Sequence, residues 1–254
     1  EPESGSDAAG IRTRAVRDGD GYRITGQKIY ITNAHVADYI VVSVKTDPDA
    51  GRRGLSLIIV DTKAEGVEIR PMNSLGTLTS RPNEVFLDNV YAPKEYLLGE
   101  EGGGWPMLMR GLNQERLLLA ANGGGASLRC IDVARDFARD RVAFGSKIAK
   151  YQAVSHKFAD MHNLAETARL AVFHAADMLD AGEDAVMETT TAKIVSTDNN
   201  YRVADLAMQV MGGAGYIEGE MQRLFREARL GPIGGGSNEV LRNVIAGRMD
   251  LNAS

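Results

Sequence analysis

A carboxylate, a run of glycines and a few cations mark the places where this chain can do chemistry. Glu115 stands in Asn113-Gln114-Glu115-Arg116-Leu117-Leu118-Leu119-Ala120, where a polar cluster passes at once into an apolar run. A carboxylate becomes a useful general base when an apolar, dehydrated pocket raises its pKa toward the working range. On spacing alone the same residue reads better as a solvated carboxylate in the first turn of a helix, favoured by the helix dipole. Further on, Gly231-Pro232-Ile233-Gly234-Gly235-Gly236 is a flexible turn that leads into Ser237-Asn238-Glu239-Val240. Ser237 is a good N-cap and Glu239 falls in the first turn, and the free N–H groups of such a helix start suit an anion. Arg141 can grip a phosphate with its planar fork, or serve as a cation at a helix C-terminus. Gly212-Gly213 either stops a helix or lets backbone come close to a ligand. His35, His156, His162 and His174 show no ligand spacing, so no metal is assigned. Cys130 lies among apolar neighbours in a helical pattern, which suits a small buried hydrophobe better than a reactive thiol.

The elements that must position these residues change character near residue 98. Up to 97 the chain reads as strands. Ile11–Val16 and Tyr22–Ile31 alternate apolar and polar residues, with Asp18-Gly19-Asp20-Gly21 as hairpin turn chemistry between them. Tyr39–Val44 and Leu55–Val60 are rich in β-branched residues, and Glu84–Val90 ends where Pro93 breaks the ladder. Short strands separated by turns predict an antiparallel barrel or sandwich over 1–97. From 98 to 254 the apolar spacing is helical. Helices are expected from Trp105 to about Arg141, over Tyr151–Ala181 with Gly182 as the stop, over Met187–Met211, and from after Gly236 to about Met249. A block of strands followed by a four-helix bundle is an α+β architecture, and no strand leads into the glycine turns as a Rossmann fingerprint requires.

Composition excludes several function classes. The 254 residues are 44% hydrophobic and 25% charged, as in ordinary globular domains. A net charge of -5 with scattered basic residues leaves no electrostatic footprint for nucleic acid. No apolar run reaches the roughly 18 residues of a membrane span. The single cysteine excludes an internal disulfide and fits a reducing compartment.

Several segments taken in order resemble the flavin-dependent acyl-CoA dehydrogenases. They are Glu1-Pro2-Glu3-Ser4-Gly5-Ser6-Asp7, Gly26-Gln27-Lys28-Ile29-Tyr30-Ile31-Thr32-Asn33, Leu98-Gly99-Glu100-Glu101-Gly102, Asp140-Arg141-Val142-Ala143-Phe144-Gly145, Gln209-Val210-Met211-Gly212-Gly213-Ala214-Gly215-Tyr216, and the glycine turn before Ser237. The resemblance spans the whole chain. It implies FAD as cofactor and oxidation of an acyl-CoA thioester to a trans-2-enoyl-CoA, with electrons leaving to an electron-transfer flavoprotein. It also implies a homo-oligomer, dimer or tetramer, placed in the cytoplasm of a bacterium or in the mitochondrial matrix. The family carries a further helical domain ahead of the strands, and its absence here implies a fragment, a separate chain, or a part that the given sequence does not cover. Reoxidation by oxygen, as in acyl-CoA oxidases, and a partial subunit that contributes a half-site are the alternatives the resemblance leaves open.

What the resemblance implies for single residues follows from the same segments. In much of the family the base follows a Tyr in the loop before the last helix, where this chain has Gly235. In the branches resembling isovaleryl-CoA and long-chain acyl-CoA dehydrogenases, the base comes from the helix after the strands, at the position of Glu115. Glu115 is therefore expected to take the α proton, and Gly235 to offer only its backbone N–H to the thioester carbonyl. The glycines 234–236 are expected to remove bulk beside the acyl chain. Ser6, Tyr30 and Thr32 are expected near the flavin ring, with Tyr30 and Thr32 on one face of a strand. Arg141, Phe144 and Gln152 match residues that reach a neighbouring subunit's FAD. Gln209, Gly212 and Gly213 approach the same dinucleotide, and Ser237 and Glu239 its phosphate and ribose region.

Overall fold

The computed structural model describes residues 1–251, so the last positions of the expected helical domain, 252–254, lie outside the described residues. Two compact units divide the chain, Glu1–Gly111 and the residues from Leu112 onward. In the first, strands β1 (Arg14–Asp18), β2 (Gly21–Lys28), β3 (Tyr39–Lys45), β4 (Leu55–Asp61), β5 (Val67–Pro71), β6 (Asn83–Pro93) and β7 (Leu97–Leu98) build one sheet in the order β5-β6-β2-β1-β3-β4-β7. Neighbours run antiparallel except β1 and β3, which meet in parallel through Arg14 and Lys45. The hairpin turn falls where Asp18-Gly19-Asp20-Gly21 places it, with Asp18 opposite Gly21. Ile24, Val44, Ile58, Val60, Val85 and Val90 form the dry side of this sheet. Each such side chain contributes about 1.5–3 kcal/mol by leaving water.

Two strand limits differ from the alternation pattern, and in both places polar groups decide. Ile11–Thr13 stay outside β1, because the Arg12 and Thr13 N–H groups donate to the Glu1 carboxylate (2.6 and 3.1 Å). The Lys28 ammonium donates to that same carboxylate (2.6 Å) and to the Ser43 carbonyl (2.6 Å) at the end of β2. Past it the chain leaves the strand: Tyr30 and Asn33 both take left-handed backbone, with φ of 62° and 61°.

From Gly104 onward the chain is largely helical, with α1 crossing from the first unit into the second. Helix α1 (Gly104–Asp140) starts with Pro106 in its first turn, where the missing N–H is not needed. A small hairpin, β8 (Val142–Ala143) with β9 (Ser146–Lys147), leads to α2 (Gln152–Asp180), α3 (Val186–Met211), α4 (Gly213–Tyr216), α5 (Glu220–Ala228) and α6 (Asn238–Arg248). Small residues let α1, α2 and α3 approach closely: Ala120, Ala175 and Ala192 form one buried cluster. A second cluster joins Cys130, Ala134, Met161, Val203 and Ala207 to Met221 and Leu224 of α5. The expected helices agree with α1, α2, α3 and α6 to within about two residues at each end. Helices α4 and α5 were not expected. Helix α5 is short, with four of its nine residues charged, yet Met221, Leu224 and Ala228 fall at i, i+3 and i+7 and are buried.

Candidate active site

The glycine turn and the Glu115 face of α1 meet through Leu119. Gly235 has φ of 64°, a conformation that only glycine adopts at little cost. A Cβ built on it would overlap Cδ1 of Leu119. Glu115 lies one helical turn before Leu119 on the same face, and residues four apart have Cβ atoms about 5–6 Å from each other. The structure therefore brings Glu115 and Gly235 to adjoining places. It also corrects two expectations. Gly235 does not leave empty room beside an acyl chain, because Leu119 fills the space. Nor is Glu115 in a first turn: α1 begins at Gly104, about three turns earlier. The Glu115 carboxylate is exposed. Its neighbour Arg116 is half-buried, with burial pulling its pKa down and Glu115 pushing it up. The Arg116 Nε has no hydrogen-bond partner among the described residues.

Behind the glycine turn stands a lysine that the sequence did not single out. Lys193 of α3 is fully buried. Its ammonium donates to the Gly236 carbonyl (2.8 Å) and to Asn238 Oδ1 (2.8 Å). Burial lowers its pKa to about 8. Asn238, itself buried, donates through Nδ2 to Asp198 Oδ1 (2.8 Å) and to Thr197 Oγ1 (3.1 Å). Thr189, Lys193 and Thr197 recur every four residues on the buried face of α3, a spacing that marks a polar stripe facing inward. Ser237 caps α6 as its type predicts, accepting the Val240 N–H at 3.3 Å. Glu239 lies exposed in the first turn, where its own backbone N–H and the Ser237 hydroxyl hold its carboxyl below the usual range.

The other expected residues fall into separate groups. Arg141, Phe144 and Gln152 gather around the β8–β9 hairpin and the start of α2. Phe144 sits at the hairpin tip with φ of 49° and is 98% exposed, while Tyr151 Oη donates to the Phe144 carbonyl (3.1 Å). Gln209, Gly212 and Gly213 line the exposed end of α3, and a Cβ on either glycine would meet open space. In the strand unit, Ser6 is exposed in a bend beside the buried Ser4. Tyr30 and Thr32 are exposed too, but not as alternate residues of a strand. They occupy the turn after β2, whose Ile31 N–H donates to the Asn83 carbonyl (2.9 Å). The Asn83 side chain in turn donates to the Ile31 carbonyl (2.7 Å). Sequence reasoning missed Asn83, a fully buried residue at the first position of β6.

A seven-stranded sheet of antiparallel hairpins joined to a helical unit with this glycine turn defines a class, and comparison with known proteins identifies it. Residues 1–90 match the model of the acyl-CoA dehydrogenase middle domain, and residues 102–249 that of the acyl-CoA dehydrogenase C-terminal domain. The chain belongs to the acyl-CoA dehydrogenase family. It is 40% identical over 247 residues to a cyclohex-1-ene-1-carbonyl-CoA dehydrogenase of Geobacter metallireducens, covering 96% of this chain and 65% of that protein. It is 36% identical over 251 residues to the caffeyl-CoA reductase-Etf complex subunit CarC of Acetobacterium woodii, covering 98% and 66%. The crystal structure of an acyl-CoA dehydrogenase from Geobacillus kaustophilus superimposes with a TM-score of 0.96 at 37% identity, over 99% of this chain and 67% of that one. The chain thus spans about two thirds of the length of these relatives. No helix among the described residues is long and apolar enough to cross a membrane.

Proposed function

We propose that this chain carries the base and the thioester-binding loop of a FAD-dependent acyl-CoA dehydrogenase. Glu115 removes the α proton of an acyl-CoA. The Gly235 N–H, in the loop that packs on Leu119, donates to the thioester carbonyl, where negative charge builds as the proton leaves. Loss of that proton and of a hydride from the β carbon leaves a trans-2-enoyl thioester. Bound FAD supplies the two-electron acceptor for the hydride. The observation that carries this reading is the packing of Leu119 against Gly235. It supports a carboxylate and a loop with unused N–H groups lying near one another. Glu115 is exposed in this chain, and the apolar acyl chain and FAD closing over it would supply the dry surroundings that favour a base.

The residues present suit a dinucleotide. Gly212 and Gly213 leave open space where backbone can approach a ligand, and the Ser237-capped start of α6 suits a phosphate. Tyr30 and Thr32 stand exposed for a flavin ring, and Ser6 joins them in the same unit. Phe144, almost wholly exposed beside Arg141 and Gln152, supports a homo-oligomer in which this hairpin reaches a neighbouring subunit's FAD. Likeness to a protein named for its complex with Etf supports an electron-transfer flavoprotein as the electron acceptor. A location in bacterial cytoplasm or mitochondrial matrix accords with that pathway for electrons. The test is Glu115→Gln in the flavin-loaded full-length protein, with anaerobic bleaching of flavin by acyl-CoA as the readout. Bleaching should slow by about 100-fold or more, the scale of a general base. Bleaching at the unmodified rate refutes the assignment.

A further inference from the structure

We propose that Lys193 is a positioning residue for the thioester site: held between the Gly236 carbonyl and the Asn238 side chain, it fixes the glycine loop so that the Gly235 N–H faces the substrate carbonyl. The inference rests on the site reading above. A buried ammonium is costly, and a Met of similar length would fill the same space without the charge. Both Lys193 contacts, at 2.8 Å, lie outside its own helix. They secure the loop and the first residue of α6 rather than α3 itself. The loop needs securing, because Gly235 and Gly236 both take left-handed backbone, with φ of 64° and 87°. Such a pair has wide freedom unless something holds it.

The hydrogen-bond pattern of the loop points the same way. Gly234 N–H donates to the Leu230 carbonyl (3.0 Å) and Asn238 N–H to the Pro232 carbonyl (3.0 Å). Between them, the N–H groups of Gly235, Gly236 and Ser237 have no acceptor among the described residues. The flanks are thus anchored, the Gly236 carbonyl is held by a cation from behind, and three successive donors are left for a ligand. A protein cation at the rear of the loop also favours negative charge on a substrate oxygen at its front. The charged groups that act on Lys193 are Asp198 of its own helix, Arg116 of α1 and Glu239 of α6.

The experiment compares K193M and K193Q with the unmodified flavin-loaded full-length protein. The probe is a 3-thiaacyl-CoA, whose bound enolate gives a long-wavelength absorption beside oxidised flavin. Its pH midpoint reads the α-proton acidity that the loop controls. K193M should raise that midpoint by about one unit or more and lower kcat per bound flavin about tenfold or more, with KM changed far less. K193Q, which keeps a donor without the charge, should fall between. An unmodified midpoint and kcat in K193M, even with a lower Tm, overturn the inference and leave Lys193 a packing role. If K193M does not hold flavin, K193Q decides by the same criteria, and loss of flavin from both overturns it in favour of a folding role. Glu115→Gln run alongside separates the two levels: if it keeps full turnover the site reading itself fails, whereas an inactive E115Q with unaffected K193M removes only this inference.

Discussion

Gly235→Ala tests the geometry on which the site depends, and its cost can be worked from two features. The backbone there is left-handed, with φ of 64°, which costs an alanine about 1–2 kcal/mol. The new Cβ would also overlap Leu119 Cδ1, the far end of a half-buried flexible side chain, and turning that side chain aside costs about 1 kcal/mol. Against these, alanine stiffens the unfolded chain and returns about 0.4–1 kcal/mol. The net is a loss of about 2 kcal/mol, which in a domain of this size lowers Tm by about 4–8 °C. The steric part vanishes when Leu119 is trimmed, but the backbone part stays. In a Leu119→Ala background, Gly235→Ala should therefore cost only about 1 kcal/mol, a coupling of about 1 kcal/mol between the two sites. Urea unfolding of the four proteins of this double-mutant cycle measures it. Equal costs in both backgrounds would show that Leu119 does not occupy the space in front of Gly235, and the adjacency of Glu115 to the loop would fall with it.

Other outcomes follow from the same structure. Moving the base to the loop, as Glu115→Gly with Gly235→Glu, should restore measurable dehydrogenation only when Leu119→Ala is added to make room; equal recovery without that third change would contradict the packing. Glu1 is buried, which alone would raise its carboxyl, but the Arg12 N–H, the Lys28 ammonium and the Thr13 hydrogen bond outweigh this and hold its pKa at about 2, below the usual 4.5. A depressed carboxylate contributes stability that is present above pH 4.5 and is lost as pH falls toward 2. Unfolding followed by circular dichroism should show Glu1→Gln less stable than the parent above pH 4.5 and nearly equal to it at pH 2; a constant difference across that range would be wrong for this mechanism. Burial, reinforced by the charge of Glu220, pushes the Cys130 thiol up to about 12. Cys130 should resist a thiol reagent at pH 8 until denaturant is added, and prompt labelling of the native protein would refute its burial.

Much of the fold was legible from residue order alone. The Asp18–Gly21 hairpin, the switch from strands to helices near residue 98 and the limits of α1, α2, α3 and α6 all follow from periodicity and from Gly and Ser at the ends. Helix α5 escaped because nine charge-rich residues look like a loop until Met221 and Leu224 are seen packed into the bundle. Tyr30 and Thr32 escaped in a different way. The apolar alternation of β2 runs on past Lys28, but side-chain hydrogen bonds end the strand and a left-handed turn follows.

The sequence by itself determined the class of protein, because spaced motifs and element order are local properties that survive without coordinates. It also put a candidate base at Glu115 and a bare backbone at Gly235. Only the tertiary structure decided that these two share a neighbourhood, since residues 115 and 235 meet through Leu119 after the intervening helices have folded back. It alone decided that the room left by the missing side chain is filled rather than empty. It also revealed Lys193, whose charge in the sequence looks like any helix-surface lysine. Burial and partners depend on which face of a helix is covered, and that is settled by packing between elements far apart in the chain.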